Sequence, residues 1–153
     1  MSGLALPADS RAVGPTRQST RNVERNVEAV EQTRRVLIAD DRSRSRRGLQ
    51  ALLMTHPGIE VVGEAGNGQE ALRLVEERRP DTVVIDAKMP AMDGLTATRM
   101  IKNRWPEVRV IMLTMYSTHR ADALGAGADA FLVKGCLAQE LLDAILGYEE
   151  SER

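Results

Sequence analysis

Short apolar runs punctuate the later part of the chain: Val36-Leu37-Ile38, Val83-Val84-Ile85, Val110-Ile111-Met112-Leu113 and Phe131-Leu132-Val133. They are short for helices and lack polar alternation, which is the pattern of strands covered on both faces. Strands are predicted over residues 36–39, 59–63, 82–85, 108–113 and 130–133. Between them apolar positions recur at helical spacing. A helix over 43–55 carries Leu49, Leu52 and Leu53 and is stopped by His56-Pro57-Gly58. Asn67-Gly68 opens a second helix with Ala71, Leu72 and Val75, which ends before Pro80. A third follows Pro90 and Gly94, turns Leu95, Thr98 and Ile101 inward, and ends near Trp105-Pro106. The fourth is brief, from His119 to Gly125, and the last runs over 137–148 with Leu141, Leu142 and Ile145 on one face.

This alternation of strand and helix predicts an α/β fold, a three-layer sandwich around a five-stranded parallel sheet. Right-handed crossovers restrict the topology. The strand order 2-1-3-4-5, the flavodoxin-like arrangement, puts a switch point between strands 1 and 3. Polar residues stand where the apolar runs end. Asp40 and Asp41 follow strand 1, Asp86 ends strand 3, Thr114 ends strand 4 and Lys134 ends strand 5. Sheets of this kind build their sites at that edge. Taken singly, each residue has a plainer reading: Asp41 as a helix cap, Thr114 as a strand residue, Lys134 as a solvated turn lysine. Phe131, the one Phe of the chain, would be core. The convergence of all of them at strand ends favours a functional site.

Composition narrows the class. The chain has 153 residues, 42% hydrophobic and 28% charged, enough for one domain with a proper core. A formal net charge of -1 gives no general pull toward nucleic acid or membrane, so direct nucleic-acid binding is not expected. One cysteine, Cys136, precludes an internal disulfide and fits a reducing compartment. No apolar run approaches the ~20 residues of a membrane span, and a cytoplasmic location is expected. Residues 1–34 are polar and Arg-rich, and are expected to be a disordered or partly helical extension, with Val23, Val27 and Val30 at helical spacing. Residues 149–153 read as a tail. His56 and His119 lack metal-spaced partners and read as surface residues. Met89, Met92, Met100, Met112 and Met115 read as packing residues.

The segments Val36-Leu37-Ile38-Ala39-Asp40-Asp41, Val84-Ile85-Asp86-Ala87-Lys88-Met89-Pro90-Ala91-Met92-Asp93-Gly94, Met112-Leu113-Thr114 and Gly127-Ala128-Asp129-Ala130-Phe131-Leu132-Val133-Lys134 resemble the receiver domain of two-component response regulators. The resemblance spans residues 35–148. It is nearest in flavour to NarL/LuxR-type receivers, but no helix-turn-helix segment is seen, so a stand-alone receiver is expected. The resemblance implies that Asp86 is the phosphoacceptor, supplied by a sensor histidine kinase or a phosphotransfer protein. Clustered carboxylates repel by on the order of 3 kcal/mol per pair at ~5 Å and an effective dielectric of ~20, which Mg²⁺ relieves, Mn²⁺ being an alternative. It further implies that Asp41, Asp86 and the Lys88 carbonyl ligate the metal directly, with Asp40 acting mainly through water. Lys134 would pair with the phosphoryl oxygens, and Thr114 and Phe131 would form the switch. The output would be a protein target, a homodimer being one form of it. Such a protein catalyses only its own phosphoryl transfer and dephosphorylation.

Departures from the family pattern set further expectations. Gly135 follows the lysine where many receivers have proline. Lys88 stands two residues after Asp86, where a cation should alter water access and phosphoryl lifetime. Met115 should narrow access for small phosphodonors, and the short span from Thr114 to Lys134 should abbreviate the fourth helix. Three rivals compete. A phosphatase resembling the haloacid dehalogenases needs an acid where Lys88 stands. A DNA-binding regulator needs a recognition element that the basic residues here do not form. A degenerate scaffold would not keep the acids and the lysine.

Overall fold

The computed structural model describes residues 33–148. The expected extension, apart from its last two residues, and the tail lie outside that range. The element order is β1 (Arg34–Ala39), α1 (Ser43–Met54), β2 (Ile59–Ala65), α2 (Gly68–Arg78), β3 (Thr82–Ile85), α3 (Gly94–Arg104), β4 (Arg109–Thr114), a 3₁₀ turn (Ser117–His119), α4 (Arg120–Gly125), β5 (Ala130–Val133) and α5 (Ala138–Leu146). All pairings are parallel, in the order β2-β1-β3-β4-β5. The predicted fold class and strand order are those observed.

Strand alternation assigns the two core layers. Leu37, Ala39, Val83, Ile85, Val110 and Met112 pack with Ala71 and Val75 of α2 and with Ala97 and Ile101 of α3. Val36, Ile38, Val84, Ile111 and Leu113 pack with Leu53 of α1 and with Leu141, Ala144 and Ile145 of α5. Burying side chains such as Leu53 and Ile101, both 0% exposed, stabilises the layers by about 1.5–3 kcal/mol each. Among the described residues no helix is long and apolar enough to cross a membrane.

Several local details differ from expectation. β2 runs on to Ala65, past the predicted end at Gly63. Its register against β1 slips between Val36 and Leu37, so Val62 is skipped. The Val62 carbonyl accepts from the Arg78 guanidinium instead, which satisfies the group the bulge leaves over. α1 is not capped by Asp41. Its N-cap is Arg42, with no side-chain cap, and Asp40 Oδ1 accepts from the Arg42 N–H at 2.9 Å. Met100 (36% exposed) and Met115 (51%) do not pack in the core, because one lies on the outer face of α3 and the other follows the end of β4. The fourth helix is abbreviated as expected, with its first turn 3₁₀.

Candidate functional site

Sheet register decides which side chains meet. Ala39, Ile85, Met112 and Phe131 are level across β1, β3, β4 and β5. Asp40 and Asp86 are each the next residue beyond that row, so both carboxylates leave adjacent strands at one height. Thr114 lies two residues beyond Met112 and pairs with Val133, and the Lys134 N–H donates to the Thr114 carbonyl at 2.7 Å. Lys134 is thus the first residue past β5, and its long side chain reaches back over the sheet edge.

That reach closes the site. Lys134 Nζ donates to Asp40 Oδ2 at 2.6 Å and to Asp86 Oδ2 at 2.9 Å. Asp40 is 1% exposed and Asp86 9%, whereas Asp41 is exposed. Carboxylate oxygens of Asp40, Asp41 and Asp86 lie within 4.8 Å of one another. Burial alone would pull the Lys134 ammonium's pKa down, but its hydrogen bonds to Asp40 and Asp86 and their charges together outweigh that and raise it.

Backbone and neighbours hold the acids in place. Arg46 donates to the Asp40 carbonyl at 2.5 Å and pairs with Glu64 at 3.2 Å, tying α1 to both β1 and β2. Gly94 begins α3 against the Asp86 backbone, and its N–H donates to the Ala87 carbonyl at 2.8 Å. A Cβ on Gly94 would stand 1.8 Å from the Asp86 carbonyl oxygen, so only glycine allows the helix to start there. Asp93 caps α3 by accepting from the Thr96 N–H at 2.8 Å. After Lys134, Gly135 has φ +98°, a backbone that proline with its φ near −65° cannot adopt. The turn here is therefore built differently from one with proline in that place.

The donor set suits a hard divalent cation. Three carboxylates and one ammonium leave a formal charge of −3 + 1 = −2, and every side-chain donor is oxygen. Mg²⁺ or Mn²⁺ fits both the charge and the ligand type.

The structure brings Asp40, Asp41, Asp86 and Lys134 together. Thr114 is buried, 1% exposed, at the same edge, and Phe131 is 8% exposed. Arg120 Cζ stands 5.9 Å from the centre of the Phe131 ring. Lys88 follows the acids as placed by sequence, its N–H 3.4 Å from Asp86 Oδ1, a long contact. Sequence reading missed its second contact. Lys88 Nζ lies 5.5 Å from the centre of the Tyr116 ring, and no motif links residues that far apart. Cys136 is half-buried, and burial pushes its thiol pKa up, away from reactivity.

A parallel sheet with an acidic cup at its switch point defines a flavodoxin-like α/β sandwich whose site sits at the strand ends. The chain belongs to the response regulator receiver domain family, whose model matches residues 36–146. It is 44% identical over 110 residues to the uncharacterized transcriptional regulatory protein YhcZ of Bacillus subtilis, covering 71% of this chain and 51% of that protein. It is 38% identical over 115 residues to the response regulator protein VraR of Staphylococcus aureus, covering 74% and 55%. The chain thus spans about half the length of the curated relatives it matches. Among solved structures, a LuxR-family two-component response regulator from Aurantimonas sp. SI85-9A1 superposes with TM-score 0.71 at 36% identity, covering 75% of this chain and 84% of that one.

Proposed function

We propose that Asp86 accepts a phosphoryl group from a histidine kinase or phosphotransfer protein and that the domain signals this state through a protein surface. The observation that carries the reading is the Lys134 ammonium bridging Asp40 and Asp86, with Asp41 within reach of both. A free Asp86 oxygen attacks phosphorus, the P–N bond to the donor imidazole breaks, and its electron pair stays on nitrogen. The transfer demands charge stabilisation more than bond-making help. Lys134 provides a fixed cation beside Asp86, and Thr114 stands at the same edge to donate its hydroxyl to the transferred group. Mg²⁺ held by Asp41, Asp86 and the Lys88 carbonyl, with Asp40 acting through water, would neutralise the remaining negative charge.

Phosphorylation adds about −1.5 to −2 charge units at Asp86. Lys134 must then share its bonds with the new oxygens, and Thr114 moves toward them. Phe131 borders a cavity of about 480 Å³, also lined by Ser117, Arg120 and Glu140, which gives the ring room to change rotamer when Thr114 shifts. The output face therefore includes α4, β5 and α5, and its occupant is a protein target or a second copy of the chain. The domain acts in the cytoplasm and performs only its own phosphorylation and dephosphorylation. The test is to incubate the protein with Mg²⁺ and a phosphorylated kinase and to map the label. Asp86 is the expected site, and equal labelling of Asp86→Asn would reject it.

A further inference from the structure

The sheet has an opposite edge, where the strands begin. Arg34, Thr82 and Arg109 are the first residues of β1, β3 and β4. A cavity of about 380 Å³ opens there, lined by Arg34, Arg79 and Arg109, by Asp81 and Glu107, and by the end of α5. Three cations against two acids leave a formal charge of +3 − 2 = +1. Arg109 Nε donates to the Ala144 carbonyl at 2.8 Å and Arg34 to the Leu146 carbonyl at 3.4 Å, so the last turn of α5 is tied to the starts of β4 and β1. Arg79 is the C-cap of α2 at φ +47°, a place that glycine fills without cost. Its guanidinium donates to the Glu76 carbonyl at 3.1 Å and stands 5.6 Å from the centre of the Trp105 ring. Backbone strain of this kind persists where a side chain is put to use. Arg34 and Arg79 are exposed and form no ion pair among the described residues.

We propose that this cavity is the seat of the acidic segment Glu149-Glu150-Ser151-Glu152, which follows the described residues directly. Position and charge both favour that occupant. Ile145, Leu146 and Gly147 form one wall of the cavity, and Gly147, at φ +81°, ends α5 by turning the chain. The three glutamates stand two, three and five residues beyond Gly147, so all lie within about 18 Å of it at up to ~3.6 Å per residue. Their formal −3 meets a cavity of formal +1. Arg34 and Arg79 donate to neutral carbonyls, which leaves further N–H groups of each guanidinium fork for a carboxylate. Such charge-assisted bonds are roughly twice as strong as neutral ones and often form in pairs. Of the two acids that oppose the segment, Asp81 is spent on the Arg35 N–H at 2.8 Å. Seated there, three carboxylates are held at the sheet edge opposite Asp86, clear of Lys134 and of the acidic cup. The seat does not depend on which residue takes a phosphoryl group.

The full chain is digested with a glutamyl endopeptidase, and cleavage after Glu149 and Glu150 is followed by mass spectrometry. When opening is fast, the rate reports the fraction of chains whose segment has left its seat. The double variant Arg34→Gln, Arg79→Gln, which keeps every cleavage site, is expected to be cut there about three- to tenfold faster than wild type, the factor that two exposed ion pairs supply together. The difference is expected to vanish in 0.5 M NaCl, which screens such pairs. A second measurement decides even if that variant does not fold. Neutralising the segment by Glu149→Gln, Glu150→Gln and Glu152→Gln is expected to shift the Arg34 and Arg79 Nε–H signals in NMR spectra of the full chain, by the same amount at every protein concentration. Equal cleavage rates for the folded double variant and wild type overturn the proposal, as do arginine signals that the neutral segment leaves unmoved. A shift that disappears on dilution assigns the carboxylates to a second copy of the chain and overturns it too.

Discussion

Lys134 Nζ stands 2.6 Å from Asp40 Oδ2, although the two residues are 94 positions apart in sequence. The pair joins β1 to β5 across the whole site edge, and Asp40 is almost fully buried. Removing one partner of such a pair strands the other's charge, which costs on the order of 3 kcal/mol. Lys134→Met is therefore expected to lose about that much stability in metal-free buffer, measured by urea denaturation.

The same lysine sets an alkaline limit. Its folded pKa is raised above its ordinary 10.5. A raised folded pKa means the native state holds the proton more tightly, so this contribution is complete below the unfolded value and is lost as pH rises through the folded one. Denaturation between pH 8 and pH 12 should show a stability gap between wild type and Lys134→Met that is constant at first and narrows above about 10.5, the ordinary value.

Two glycines make opposite predictions. A Cβ at Gly94 would meet the Asp86 carbonyl oxygen at 1.8 Å, while one at Gly48 within α1 has nothing inside 4 Å. Gly48→Ala should stabilise by about 0.5–1 kcal/mol through helix propensity. Gly94→Ala must push α3 from the end of β3 and should cost more than about 3 kcal/mol, as overpacking against backbone does at its upper end. Thermal melts of the two variants check both signs.

Divalent cations should bind where the formal charge is −2. Mg²⁺ is expected to raise the melting temperature of the wild type by mass action on the folded state. Loss of an outer-shell partner already weakens metal sites by about 10–100-fold. Asp41→Asn, which removes a carboxylate proposed to ligate the ion directly, should therefore weaken Mg²⁺ binding by at least about tenfold in calorimetric titration. Because Asp41 is exposed, its removal should leave the metal-free stability nearly unchanged.

Much of this was legible in the sequence, for physical reasons. Strands buried on both faces must be apolar throughout, so the first polar residue marks the sheet edge. Asp40, Asp86, Thr114 and Lys134 announce themselves that way. Other features were hidden because they depend on register and reach. The slip that skips Val62 leaves no mark in composition, and it carries β2 two residues past Gly63. The exposure of Met100 and Met115 follows from the outer face of α3 and the exit from β4, which apolar character alone does not reveal. The Lys88–Tyr116 contact joins two loops that only the β3–β4 pairing brings together. Asp41 taken alone also read as a cap, but Arg42 is the N-cap of α1 and Asp40 holds its N–H, an arrangement that the adjacent pair of acids does not reveal in sequence.

The most direct measurement is to phosphorylate the protein with a phosphorylated histidine kinase in Mg²⁺ and to locate the acyl phosphate by mass spectrometry after borohydride reduction. The expected result is a single modified residue, Asp86, with labelling abolished by Asp86→Asn and by chelation of the metal. Label that persists undiminished in Asp86→Asn, or that sits on a residue away from the Asp40, Asp41 and Lys134 cluster, would contradict it.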